Sequence, residues 1–268
     1  MSHRWQFLLP GLLAAVAACS AGPTGPPYQV SSKLLRDDTS QEIRVWAPAD
    51  KGSWPVLYAL PGVGGHTSDF DLLGPALARQ GVVVFATDYR THGTLEDLGD
   101  DLACGYRFIR RVADDYGGDL ERPVTGVGYS FGAMWMLGGA LHRVPTGAGA
   151  QCAEKQPLPD VVVGVNGCYY DRAGQPQPFS VEGLDRRDAD VLLVAGSADR
   201  DCPAWQSAKA AAALGAAGFH PKLTTLRGAN HFTPLFHDFV GGKWVSVPKD
   251  PAGEQTVRAI LDAIKAHS

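Results

Sequence analysis

The chain has 268 residues, 45% of them apolar and 19% charged, and 24 Lys and Arg against 28 Asp and Glu give a net charge of 24 − 28 = −4. That length and apolar content can bury a large core, which excludes disorder for most of the chain and suits one α/β domain. The slight acidity offers no electrostatic surface for nucleic acid, and 32 glycines with 19 prolines foretell many tight turns.

In chain order, residues 1–18 read as a signal peptide. Arg4 is their one positive side chain, and the run from Phe7 to Ala18 carries no charge. It is well short of the roughly 20 residues that span a bilayer, and Pro10-Gly11 in its middle argues against a buried helix. Val16-Ala17-Ala18-Cys19 resembles a bacterial lipobox, in which the cysteine is lipidated and becomes the mature N-terminus. Ordinary secretion after a small residue is the alternative. Losing Arg4 with the leader makes the mature charge 23 − 28 = −5. Residues 19–27, rich in Pro and Gly, are a tether with nothing to bury. The expectation is an exported protein of the cell envelope, held to the membrane by its lipid alone, with one domain over 28–268.

Within that domain, apolar or alternating runs at 43–47, 55–60, 82–87, 124–129, 161–166, 191–195 and 222–226 read as strands. Most are β-branched and bounded by Gly, Pro or Asp, as buried parallel strands are. Helical patterns fall between them at about 68–80, 95–116, 131–143, 203–218 and 253–267, and Thr94-x-x-Asp97 resembles a capping arrangement before the second. The alternation implies a mostly parallel, twisted sheet with helices on both faces. Only 23 residues separate Asn166 from Asp190, too few for a large cap domain.

Gly128-Tyr129-Ser130-Phe131-Gly132 follows a predicted strand and opens a predicted helix, the context in which G-x-S-x-G projects a serine hydroxyl above a sheet. A serine nucleophile needs a base, and the base needs an acid to fix its tautomer. Asp199, in Ala195-Gly196-Ser197-Ala198-Asp199, follows one strand, and His231, in Gly228-Ala229-Asn230-His231-Phe232, follows the next. Asp201 competes with Asp199, and His237 is the runner-up base. Acyl transfer also needs donors for a developing oxyanion: the N–H of Phe131, and one from the glycine-rich loop Leu60-Pro61-Gly62-Val63-Gly64-Gly65.

These segments resemble an α/β-hydrolase-fold serine esterase over nearly all of residues 40–266. The match rests on PGVGG at 61–65, GVVVFATDYR at 81–90, GYSFGA at 128–133, AGSAD at 195–199 and GANHF at 228–232. Within that superfamily the Pro-Gly loop and the GANHFTP ending at Pro234 look most like the dienelactone-hydrolase and cutinase-like branches. The resemblance makes Val63 the second oxyanion donor. Valine stands there where cutinase-like enzymes carry an aromatic residue, and the nucleophile is serine where dienelactone hydrolase has cysteine, which points away from both substrates.

Tyr169 and Tyr170 could line the acyl site, and Trp205 could rim it. Met134, Trp135 and Met136 read as core, and Asp88-Tyr89-Arg90 as a structural turn pairing. Of the five cysteines, setting aside Cys19 leaves Cys104, Cys152, Cys168 and Cys202, which allow three pairings, and no Cys/His spacing suggests a metal. Placed in the α/β-hydrolase fold, Cys168 pairs with Cys202 and Cys104 with Cys152. The expected function is hydrolysis of a small-molecule or lipid-like carboxylic ester through an acyl-enzyme, without cofactor or metal. A peptidase or acyltransferase on the same triad, or an inactive binding module of the envelope, are the alternatives.

Overall fold

The computed structural model describes residues 28–36, 41–50, 52–64, 66–90, 94–141, 152, 159–177 and 188–267. Residues 1–27, where a leader, Cys19 and a tether are expected, lie outside them.

The strands are β1 (Val30–Arg36), β2 (Glu42–Pro48), β3 (Trp54–Leu60), β4 (Val83–Thr87), the two-residue β5 (Gly118–Asp119), β6 (Thr125–Tyr129), β7 (Val161–Val165), β8 (Asp190–Gly196) and β9 (Lys222–Leu226). They form one sheet in the order β1-β2-β4-β3-β6-β7-β8-β9, with β5 pairing beside β3. The β1–β2 and β2–β4 pairs are antiparallel, and from β4 to β9 every pair is parallel. Successive side chains point to opposite faces, so Val56, Tyr58 and Leu60 join one core while Leu57 and Ala59 join the other. The first core is closed by α2 (Leu95–Val112), α3 (Phe131–Leu141) and α4 (Ala204–Ala216), and the second by α1 (Leu73–Ala78) and α5 (Pro251–Lys265). A sheet covered on both faces explains why its central strands are apolar without a polar alternate.

Local chemistry sets the helix ends. The Thr94 hydroxyl accepts from the Asp97 N–H at 3.2 Å, and the Asp97 carboxylate accepts from the Thr94 N–H at 2.8 Å. This reciprocal cap starts α2 where the sequence places it. The helix expected over 68–80 divides into a 3₁₀ turn, Thr67–Phe70, and the short α1. Pro75 falls in the first turn of α1, where its missing N–H costs no helical bond. The tail of the 95–116 pattern is likewise a 3₁₀ turn, ended by Gly117 at φ 74°. Strand β1, largely exposed, and a hairpin of β10 (His237–Val240) and β11 (Lys243–Ser246) were not predicted. Neither shows the apolar run that marks the central strands.

Two disulfides join Cys104 to Cys152 and Cys168 to Cys202, each with Cα atoms 5.0 Å apart. The parallel strands β3, β6, β8 and β9 all end at one edge of the sheet, so the loops that follow them meet there.

Candidate active site

Ser130 stands between β6 and α3 with φ 54°, in the left-handed region that a residue with a side chain enters only under constraint. Its N–H donates to Val165 O at 3.0 Å, and its carbonyl accepts from the N–H groups of Ala133 and Cys168. The flanking glycines are required by contact. A Cβ on Gly128 would overlap the backbone of Gly132 and Ala133, and one on Gly132 would overlap the Pro61 and Leu60 carbonyls. The elbow therefore packs directly on the loop after β3.

His231 Nε2 is 3.0 Å from Ser130 Oγ, and His231 Nδ1 is 2.8 Å from Asp199 Oδ2. A carboxylate only accepts, so Nδ1 carries a proton, and the neutral ring then turns the Nε2 lone pair to the serine hydroxyl. The other oxygen, Asp199 Oδ1, accepts from the N–H groups of Asp201 and Cys202, both at 2.9 Å. All three side chains are buried, with Ser130 only 4% exposed. Asp201 is exposed and serves Asp199 through its backbone. His237 stacks on Trp244 at 5.4 Å. The structure thus joins the first-choice residues by hydrogen bonds, while a carboxylate oxygen of the exposed Asp201 also lies within 4.8 Å of one of Asp199 and of a ring nitrogen of His231.

The loop after β3 is pinned from two sides. Asp69 Oδ2 accepts from the Gly62 N–H at 3.1 Å, and the Tyr89 hydroxyl lies 2.9 Å from Gly62 O and 3.2 Å from Pro61 O. In a trans peptide the C=O and the following N–H point opposite ways. By holding Gly62 C=O, Tyr89 turns the Val63 N–H to the other side of that unit. The Val63 side chain is 74% exposed. Phe131, the first residue of α3, has one of the backbone N–H groups that an α-helix cannot bond internally.

Burial raises the Asp69 carboxyl above the usual carboxylate range, against the opposing pull of the Gly62 N–H. With the folded pKa above the unfolded one, the native chain binds more protons across that window. Stability contributed by this group is lost as pH rises through it. Asn at this position cannot ionise yet can still accept from Gly62. Asp69→Asn is therefore expected to melt above wild type at pH 7, with the gap closing toward pH 3.5. A gap of the same size at both pH values, or a lower melting point at pH 7, would contradict this.

Asn166, just past β7, has a role the sequence reading missed. Its φ is 46°, its Oδ1 accepts from the Gly196 N–H at 2.7 Å, and its Nδ2 lies 2.9 Å from both Asn230 O and His231 O. One buried amide thus ties the end of β8, which leads to Asp199, to the loop bearing His231. Asn230 steadies that loop further: Oδ1 accepts from the N–H groups of Phe232 and Thr233, and Nδ2 donates to Asp238. A polar residue ending a strand at positive φ is a local signal, but its partners lie 30 and 65 positions away.

The expectation that Tyr169 lines the acyl site is corrected. Its ring is 0% exposed and packs in the core against Gly164 and Gly167, so it presents no surface to a substrate. Tyr170 is also buried, 6.2 Å from the exposed ring of Trp205 and beneath Lys209 Nζ at 4.3 Å. Met134, Trp135 and Met136 are core, and Asp88-Tyr89-Arg90 is a pairing segment. Asp88 accepts from the Glu42 N–H and Arg90 pairs with Asp101 and Asp97. On the far side of His231, Phe232 stacks edge-on at 5.2 Å and continues into Trp244 at 4.8 Å, on the unpredicted hairpin.

The model of the prolyl oligopeptidase family matches residues 166–240, the stretch from Asn166 through Asp199 and His231 to the hairpin. A probable isoprenylcysteine alpha-carbonyl methylesterase of Oryza sativa subsp. japonica is 32% identical over 127 residues, which are 43% of this chain and 30% of that protein. A second from the same plant is 29% identical over 146 residues, 50% of this chain and 35% of that protein. The chain spans about a third of the length of these curated relatives. Among solved structures, esterase B from Lactobacillus rhamnosis superposes with a TM-score of 0.69 at 17% identity, covering 90% of this chain and 87% of that one. A truncated carbohydrate esterase from gut microbiota gives 0.70 at 15% identity, covering 92% and 99%. The sheet order, the elbow and these superpositions define an α/β-hydrolase fold.

Proposed function

We propose that this chain is a serine hydrolase that cleaves carboxylic esters through an acyl-enzyme. The observation that carries the proposal is the hydrogen-bonded line Ser130–His231–Asp199, in the chain order Ser, Asp, His of the α/β hydrolases. Ser130 Oγ attacks the ester carbonyl while His231 Nε2 takes its proton. Asp199 holds the imidazole in the productive tautomer and stabilises the imidazolium that forms. The backbone N–H groups of Val63 and Phe131 receive the charge developing on the carbonyl oxygen. His231 returns the proton to the leaving alcohol, and water then repeats the sequence on the acyl-serine.

The partial match to the prolyl oligopeptidase family favours a second reading, hydrolysis of amides on the same three residues. A panel of p-nitrophenyl esters of increasing acyl length, run beside aminoacyl p-nitroanilides, separates the two. Ester turnover at least 100-fold above amide turnover supports the first, and the reverse ranking supports the second. Turnover of neither overturns both. Export and lipidation at Cys19 belong to the same proposal, on the Val16–Cys19 pattern and the paired cysteines. The mass of the mature N-terminus tests them: a diacylglyceryl-modified Cys19 supports lipidation, and an unmodified N-terminus overturns it.

A further inference from the structure

We propose that the Cys168–Cys202 pair, once reduced, forms with His231 a binding site for a thiophilic divalent cation such as Zn²⁺, superimposed on the catalytic centre. The two sulfurs and a ring nitrogen of His231 all lie within 4.8 Å of one another, and all three residues are buried. Nδ1 is committed to Asp199, so Nε2 is the nitrogen that faces the cation. Ser130 Oγ, 3.0 Å from that nitrogen and 3.4 Å from Cys168 Sγ, is near enough to supply a fourth ligand or to hold a bound water that does. Metal–sulfur bonds of about 2.3 Å and metal–nitrogen bonds of about 2.1 Å put tetrahedral ligand atoms about 3.5–3.8 Å apart. The two sulfurs, bonded to each other in the disulfide, must therefore separate for both to reach one ion.

Two further features suit this chemistry. Histidines that bind metal characteristically donate their other N–H to a carboxylate, which fixes the ring and strengthens the ligating nitrogen. Asp199 already does this for His231. Two thiolates also cancel the charge of a dication, so the occupied site is neutral, which suits its burial. The backbone around both cysteines is held independently of the sulfurs. The Cys202 N–H donates to Asp199 Oδ1, and the Cys168 N–H donates to Ser130 O at 3.2 Å.

The oxidised and reduced forms then differ in what Nε2 can do. In the disulfide the two sulfurs are bonded to each other and offer no thiolate, so Nε2 is left to the serine. A small dithiol opens the bond: its thiolate attacks one sulfur, the other leaves as thiolate, and the second thiol of the reagent resolves the mixed disulfide. The products are two cysteine thiols and the cyclic disulfide of the reagent. The cation then displaces both thiol protons to solvent and takes the Nε2 lone pair that Ser130 needs for its own proton. Metal sensitivity is thereby gated by the redox state of this one pair.

The test is a Co²⁺ titration of the full chain, oxidised and after reduction with dithiothreitol and its anaerobic removal, followed by absorbance. The reduced chain is expected to take up one equivalent, with sulfur-to-cobalt charge-transfer absorption in the near ultraviolet. One equivalent of Zn²⁺ should lower its turnover of p-nitrophenyl butyrate at least tenfold, with recovery on adding EDTA. The oxidised chain should show neither effect. A Cys104→Ser, Cys152→Ser double variant should keep the cobalt signal after reduction, and Cys168→Ser should lose it. Absence of the signal from reduced wild type, its persistence in Cys168→Ser, or loss of the far-ultraviolet circular dichroism on reduction would each overturn the proposal. The cobalt titration reads the site whatever the substrate is, so its failure is distinct from a failure of the esterase reading.

Discussion

Ser130→Ala is expected to lower kcat on a p-nitrophenyl ester by on the order of 10⁶-fold while leaving the melting temperature within a few degrees of wild type. The hydroxyl makes its contacts with His231 and Cys168, and the hydrogen bonds that shape the elbow belong to the Ser130 backbone. The variant therefore keeps the turn, the strained φ and the neighbouring N–H groups. Residual catalysis, on the order of 10³-fold over water, reflects binding and oxyanion donors alone. Steady-state kinetics beside a thermal melt checks both halves. Turnover near the wild-type rate in a folded Ser130→Ala protein would remove Ser130 from the chemistry.

Asn166→Ala carries the second large effect, and this one strikes stability as well as rate. The substitution strips partners from Gly196 N–H, Asn230 C=O and His231 C=O together. Each buried polar group left unmade costs about 1–3 kcal/mol. Asparagine also tolerates the left-handed backbone at φ 46° better than alanine does. A loss on the order of 3–6 kcal/mol is expected, a large part of a typical domain's total. His231 and Asp199 should lose their register, so kcat falls further than KM rises. The check is urea denaturation beside kinetics in the native baseline, with Asn166→Asp as a second variant that keeps the Gly196 contact. A loss below about 1 kcal/mol with unchanged kcat would show that Asn166 does not tie the two loops.

The contrast between Ser130 and Asn166 shows what sequence conveys here. Ser130, Asp199 and His231 are readable because their signals are local: a glycine-flanked serine between an apolar strand and a helix, and a polar residue just past each of two later strands. The parallel sheet is readable for the same reason, since strands buried on both faces must be apolar at every position, as Val83–Thr87 and Val161–Val165 nearly are. Asn166 and Tyr89 act through partners far along the chain, and Asp69 through one backbone N–H seven positions back, and no spacing rule encodes such contacts. The hairpin His237–Ser246 escaped because its residues are mostly exposed and its strands are only four residues each. Tyr169 misled because its place past a strand end suggested the site wall, whereas Gly164 and Gly167 open a space that its ring fills from within.

The most direct measurement of the central claim is reaction of the native chain with a fluorophosphonate, followed by intact mass and peptide mapping. A nucleophilic serine activated by His231 is expected to take up one phosphonyl group on Ser130, with a His231→Ala variant labelled at least 100 times more slowly. No adduct on a folded chain, or a single adduct on a serine other than Ser130, would contradict the account.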